Sequence, residues 1–93
     1  MATIGTDMVS FTLNGRTIHR KGGRLTLADG TLAGADLDMI SAVRFIHHTI
    51  GLELSEALRM ASLYPAQAVA VDARHGRLRQ GAAADVVLLS DGL

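Results

Sequence analysis

The hydrophobic period of this chain changes near residue 35, and this change restricts the fold to a β-rich part followed by an α-rich part. Before it, apolar and polar residues alternate from Met8 to Leu13, which is the period of a half-buried strand. After it, apolar residues recur every three or four positions, as in an amphipathic helix. Because 35 residues are too few for a domain of their own, we expect residues 1–93 to form one α+β unit.

Glycine-containing turns divide residues 1–35 into an antiparallel β meander. Asn14-Gly15, Lys21-Gly22-Gly23 and Asp29-Gly30 are turn sequences, because their residues tolerate a positive φ. The stretches between the turns predict three strands, over residues 8–13, 16–20 and 24–27.

Residues 36–72 predict two to three helices. Asp36 is a candidate N-cap for the first helix, and Gly51 supplies a left-handed stop at its end. Ser55 is the candidate cap of the second helix. Pro65 suits the first position of a short third helix that extends to about residue 71, and it ends the second helix just before it.

The last part of the chain, residues 76–93, predicts a C-terminal β segment. Its apolar run from Ala84 to Leu89 contains mostly β-forming residues, which is typical of a strand buried on both faces. We therefore expect one C-terminal strand after the helices.

Composition limits the setting in which the chain works. Absence of cysteine excludes disulfides, thiolate zinc sites and cysteine nucleophiles, and it favours a cytoplasmic location. Nine basic and nine acidic residues give no net charge, which argues against a dedicated nucleic-acid binder. No apolar run approaches the roughly 18 residues of a membrane span. A mean hydropathy of +0.27 is high for a short chain and predicts a homo-oligomer that covers apolar surface.

No residue pattern predicts a catalytic or metal-binding group. His47 and His48 are adjacent on a predicted helix, so their side chains diverge by roughly 100° and are unsuited to sharing one metal. His19 and His75 are isolated, and no serine lies in a nucleophile elbow. We therefore expect the chain by itself not to be a catalyst.

Two basic clusters have two interpretations. Each is either a solvated surface or a site for phosphate or nucleic acid, and no aromatic residue is interleaved to stack on bases. The clusters are Arg16, His19, Arg20, Lys21 and Arg24, followed by Arg74, His75, Arg77 and Arg79.

The glycine-rich stretch from Gly30 to Gly34 precedes the first predicted helix. It is interpreted either as a plain connection or as a loop that contacts a ligand, since backbone N–H groups at a helix start attract anions and polar ligands.

Three segments together resemble the N-acetylglucosamine-6-phosphate deacetylases of the amidohydrolase superfamily. Gly-Thr-Leu-Ala-Gly-Ala-Asp-Leu-Asp-Met begins at Gly30, and Arg-Met-Ala-Ser-Leu-Tyr-Pro-Ala begins at Arg59. A closing Gly-Arg-Leu-Arg-Gln-Gly-Ala-Ala-Ala-Asp begins at Gly76 and is shared by the wider superfamily. The resemblance covers essentially the whole chain in order.

The resemblance implies a fold and an activity. It implies that the chain is a C-terminal fragment, containing the end of a (β/α)8 barrel and part of a small β domain. The family hydrolyses N-acetylglucosamine 6-phosphate to glucosamine 6-phosphate and acetate, using a divalent metal such as zinc. Met1-Ala2 is similar to the residues that follow the catalytic Asp of the family's Thr-Asp-Ala-Met motif, so the resemblance places that Asp and the metal ligands upstream.

Few site residues transfer from the resemblance. Leu32, Ala33 and Gly34 match the family's loop that contacts the substrate sugar, largely through backbone groups. No catalytic residue, metal ligand or cofactor is expected in this chain, and the expected partner of the full enzyme is an amino-sugar phosphate. The alternatives are a non-catalytic, self-associating interaction module and, less favoured, a nucleic-acid-binding domain.

Overall fold

The computed structural model describes residues 3–93, so the motif expected at Met1-Ala2 lies outside the described residues. Contacts divide the chain into two compact units, the first ending at Asp38 and the second beginning at Met39. The boundary falls slightly after the change in hydrophobic period. That the whole chain forms one unit stays a prediction.

The first unit is a four-stranded antiparallel sheet in the order β1-β2-β3-β4. The strands are β1 Ser10–Leu13, β2 Arg16–Lys21, β3 Arg24–Leu27 and β4 Leu32–Ala35. The three predicted strands and their turns are therefore confirmed, and a fourth strand extends the meander.

The fourth strand corrects the predicted loop at Gly30–Gly34. The turn after β3 is closed by hydrogen bonds from the Gly30 amide to the Leu27 carbonyl and from the Leu27 amide to the Thr31 carbonyl. The chain therefore reverses before Leu32 and pairs with β3. Alanine and glycine rarely favour strands, so in β4 the neighbouring strand determines the conformation.

One face of the sheet is apolar and the other is polar. Ile18 and Leu25 lie on the apolar face and are only 7% and 6% exposed. On that face, Arg20, Leu25 and Gly34 are aligned across β2, β3 and β4. The opposite face has Ser10, His19 and Thr26 in one row across β1, β2 and β3.

The second unit is helical in its first half. It contains α1 Met39–Arg44, a π-helical segment Phe45–Ile50, α2 Leu54–Ala61 and α3 Leu63–Ala68. Gly51 ends the π-helical segment with φ 92°, in the left-handed conformation that the sequence predicts. No helix of the described residues has the length and apolar character needed to cross a membrane.

The predicted helix ends need correction. Asp36 is not a cap, because α1 begins at Met39 and the Asp36 carboxylate binds elsewhere in the first unit. Ser55 lies inside α2, whose cap position is Glu53. The break between α2 and α3 falls at Ser62. Pro65 is therefore in the first turn of α3, where its missing N–H removes no helical hydrogen bond.

The predicted C-terminal strand at Ala84–Leu89 is absent from the described residues, which have irregular structure there. These side chains are exposed, and Leu88 reaches 94% exposure. A β-forming sequence becomes a stable strand only beside paired neighbours, and the second unit has no strand among its described residues. That the elements complete a (β/α)8 barrel stays a prediction.

Candidate functional site

The three residues expected to contact substrate lie on β4, at one edge of the sheet. Leu25 pairs with Gly34 and Thr26 pairs with Leu32, so Ala33 is the extra residue of a β-bulge. Bulges at sheet edges redirect side chains and end regular pairing, and they are frequent beside active sites. The sequence gives no local signal for this bulge.

The outer side of β4 is chemically suited to bind a polar molecule. An edge strand presents a row of backbone N–H and C=O groups without strand partners. Leu32 is 65% exposed, so its side chain is also accessible. The arrangement can bind a hydroxyl-rich ligand through the backbone, with one apolar side chain beside it.

Gly34 is not required by the fold of the first unit. Its φ is not positive, and a Cβ atom built on it would lie 3.9 Å from Leu25 Cδ1, an ordinary van der Waals distance. An alanine would therefore fit in the sheet.

A polar network fastens the end of β4. The Thr3 hydroxyl donates to Asp36 Oδ1 over 2.7 Å, and Arg20 Nε donates to Asp36 Oδ2 over 2.5 Å. Thr3 is completely buried. Asp36 follows β4 directly, and its amide donates to the Gly23 carbonyl.

Arg20 also holds the segment that precedes β1. Its Nη1 atom donates to the Thr6 carbonyl over 2.7 Å, with longer contacts to the carbonyls of Thr3 and Met8. The Thr6 hydroxyl in turn donates to the Thr3 carbonyl. One guanidinium thus connects the segment before β1, strand β2 and the residue after β4.

Sequence reasoning missed this network. It assigned Arg20 to a basic cluster and Asp36 to a helix cap, and it gave Thr3 no role. The available signal was the alternation along β2, which places Arg20 on the same face as the buried Ile18.

The network makes the stability of the first unit depend on pH. Hydrogen bonds from Thr3, and then from Arg20, hold the pKa of Asp36 below its ordinary value. A depressed carboxyl pKa adds stability above the unfolded-state value of about 4, and this stability is lost as the pH falls through the folded-state value. We expect the denaturant concentration at the unfolding midpoint of the first unit to decrease as the pH falls below 4. Asp36→Asn should flatten this dependence. Chemical denaturation from pH 2 to 7 measures both, and parallel curves for the two proteins would contradict the assignment.

The first basic cluster is divided between the faces of the sheet. Arg16 and Arg20 lie on the apolar face, whereas His19, Lys21 and Arg24 lie on the polar one. The first cluster therefore does not form one continuous basic surface.

In the second cluster, three side chains have local partners. Arg77 Nη2 lies 3.9 Å from Asp72 Oδ2, and His75 Nδ1 lies 3.6 Å from Asp85 Oδ2. Arg79 Nη2 donates a hydrogen bond to the Ala73 carbonyl. Nucleic-acid binding stays the less favoured alternative.

The adjacent histidines lie side by side on the π-helical segment, so the expected divergence of their side chains is wrong. Their ring centroids are 4.8 Å apart, and His47 Nδ1 lies 2.8 Å from the Leu52 carbonyl oxygen. Across residues 3–93, no three or more His, Asp or Glu side chains come together to hold a metal ion.

Comparison with known proteins identifies one family and several relatives. A family model described as the amidohydrolase family matches residues 2–91. The N-acetylglucosamine-6-phosphate deacetylase of Haemophilus influenzae is 36% identical over 90% of this chain and 22% of its own length. A putative N-acetylgalactosamine-6-phosphate deacetylase of Escherichia coli is 41% identical over 89% of this chain and 50% of its own length.

Solved structures show the same similarity. The N-acetylglucosamine-6-phosphate deacetylase of Pasteurella multocida matches with a TM-score of 0.75 and 37% identity, over 84% of this chain and 21% of that one. The corresponding enzyme of Thermotoga maritima matches with a TM-score of 0.70 and 27% identity. The chain spans about a fifth of the length of these two crystallised enzymes.

Proposed function

This chain belongs to the amidohydrolase family, and we propose that it is the C-terminal, sugar-contacting segment of an N-acetylhexosamine-6-phosphate deacetylase. In the proposed reaction, water hydrolyses the acetamide, releasing acetate and the free amine of the sugar phosphate. The observation that carries this proposal is the bulged edge strand β4, because it presents Leu32–Gly34 in a chain 36% identical to such a deacetylase.

In this proposal the chain binds and orients the sugar but supplies no reacting group. Backbone groups of β4 hydrogen-bond sugar hydroxyls, and Leu32 covers an apolar part of the ring. The catalytic carboxylate and the metal ligands belong to a preceding part of the protein. Translation of the DNA upstream of the Met1 codon tests this directly: an in-frame Thr-Asp-Ala supports the proposal, and a stop codon adjacent to Met1 contradicts it. A cytoplasmic location also remains part of the proposal.

The sugar contact gives the first prediction for binding. A few backbone hydrogen bonds at about 1 kcal/mol each support only weak binding, with a Kd on the order of 1 mM or higher. We expect N-acetylglucosamine 6-phosphate to shift the amide resonances of Leu32, Ala33 and Gly34. Leu32→Ala will weaken this response about fivefold without destabilising the sheet, because the exposed side chain that covers the sugar ring is lost and little buried area is removed. Two-dimensional NMR titration measures the response.

Matched controls make this experiment specific. Leu78→Ala removes the same side chain at a position that is 74% exposed in irregular structure, and it should leave the response unchanged. The galactosamine epimer, tested in parallel, reports which sugar β4 prefers. Shifts spread evenly over the sheet, or an unchanged response in Leu32→Ala, would contradict the proposal.

A second candidate function is a self-associating module, which the exposed C-terminal run favours. Val86, Val87 and Leu88 are more than half exposed and lie in irregular structure. In this alternative, the run pairs with a second copy, as exposed β-forming segments tend to do. We expect sedimentation to show a concentration-dependent dimer that Val87→Lys abolishes. A monomer at every concentration would exclude this function.

A further inference from the structure

Asp36 and Arg20 have a geometry that the sugar contact alone does not explain. Both oxygens of the Asp36 carboxylate accept a hydrogen bond, Oδ1 from Thr3 and Oδ2 from Arg20. Both side chains lie mostly inside the first unit, with 10% exposure for Asp36 and 28% for Arg20. A pair with this geometry holds two backbone segments at a fixed separation, because movement of either one breaks two or more hydrogen bonds.

The two segments held in this way are the ones that the proposed reaction brings together. Asp36 is two residues after Gly34, and Arg20 lies in the same cross-strand row as Leu25 and Gly34. On the other side, Arg20 and Thr3 hold the segment from Thr3 to Met8. According to the resemblance, that segment follows the catalytic Asp in sequence.

We infer that Arg20, Asp36 and Thr3 act as positioning residues, which keep the sugar-contacting strand β4 in register with the segment that follows the catalytic carboxylate. The role of β4 in this inference rests on the proposed function, whereas the mechanical coupling does not. Arg20 and Asp36 touch no reacting atom, and they act through the backbone of β4 and of residues 3–8.

Charge alone does not explain the network. A surface ion pair contributes little to stability. Here the guanidinium also binds backbone carbonyls, and the buried Thr3 hydroxyl uses the second carboxylate oxygen. Loss of the network should therefore loosen the backbone segments that it connects, rather than lower the stability of the whole sheet uniformly.

Amide hydrogen exchange of the full 93-residue chain tests the coupling without any ligand. The Asp36 amide, bonded to the Gly23 carbonyl, reports on the end of β4, and the Thr6 amide, bonded to the Thr3 carbonyl, reports on the segment before β1. The Leu27 amide, bonded to the Thr31 carbonyl, serves as a reference at the turn. We expect Arg20→Met to accelerate exchange at Asp36 and Thr6 tenfold or more, and at Leu27 less than about twofold. Equal acceleration at all three amides, or none, would overturn the inference.

Two further variants separate positioning from charge. Lys21→Met removes a cation from the same strand on the opposite face and should leave all three amides unchanged. Asp36→Asn combined with Arg20→Met should accelerate exchange no more than either single variant, because the two residues act as one unit. If the acceleration in the double variant is instead the product of the two single accelerations, the two residues act separately.

Ligand titration then tests the positioning role. If N-acetylglucosamine 6-phosphate shifts the β4 amides, Arg20→Met should raise its Kd at least fivefold, and Arg20→Lys should recover part of this loss. An unchanged Kd in Arg20→Met would overturn the positioning role. If the unaltered chain shows no response to the sugar phosphate, the proposed function fails, and hydrogen exchange still decides the coupling by itself.

Discussion

Replacing Gly76 by alanine will destabilise the second unit by about 2–5 kcal/mol. Gly76 has φ 93°, and an added Cβ would lie 2.9 Å from Ala66 Cβ and 3.0 Å from Leu63 Cα. The left-handed conformation costs an L-residue roughly 1–2 kcal/mol. Overpacking adds about 1–3 kcal/mol, and because α3 backbone forms part of the contact, the neighbours have little freedom to withdraw.

Two other glycines serve as controls for these causes. Gly81 has φ 87° but no atom within 4 Å of the added Cβ, so Gly81→Ala should show only the backbone cost. Gly92→Ala has neither penalty and should have almost no effect. Chemical denaturation followed by the α3 amide signals measures all three. A loss in Gly76→Ala equal to that in Gly81→Ala would show that the turn does not pack against α3.

The meander was predictable because its signals are local. Asn14-Gly15 and the glycines at 22 and 23 have positive φ in the structure, as those turns require. Residues 24–27 form a strand with the predicted bounds. A local pattern was sufficient here because each strand pairs with the next one along the chain.

Elements that depend on a neighbour were not predictable. β4 contains small residues and forms because β3 is beside it, whereas Ala84–Leu89 has a strand-like sequence but no paired neighbour among the described residues. For the same reason, the network remained hidden: Thr3 and Asp36 are 33 positions apart, and Arg20 and Asp36 are 16 apart. The hydrophobic period of a sequence does not reveal contacts between residues that are so far apart along the chain. The glycine-rich stretch at the candidate site was identified from its sequence and from the resemblance, but its bulged conformation was not.

Truncation of Leu25 to alanine should destabilise the first unit by about 2–5 kcal/mol, the range for a buried leucine. Leu25 is 6% exposed and is aligned with Arg20 and Gly34 on the apolar face. A small domain has only about 0.05–0.15 kcal/mol of stability per residue, so this loss would leave much of the sheet unfolded. Denaturation followed by the amide signals of β2 and β3 measures it.

The comparison with Leu13→Ala determines what the Leu25 result means. Leu13 has the same side chain on the same sheet but is 54% exposed at the end of β1. Burial of apolar area predicts a loss well below 1 kcal/mol there, because little of the side chain is removed from water on folding. A similar small loss for Leu25→Ala would mean that the sheet does not depend on its apolar face. In that case the Arg20 network, which lies on the same face, would hold β4 in place without a packed core beneath it.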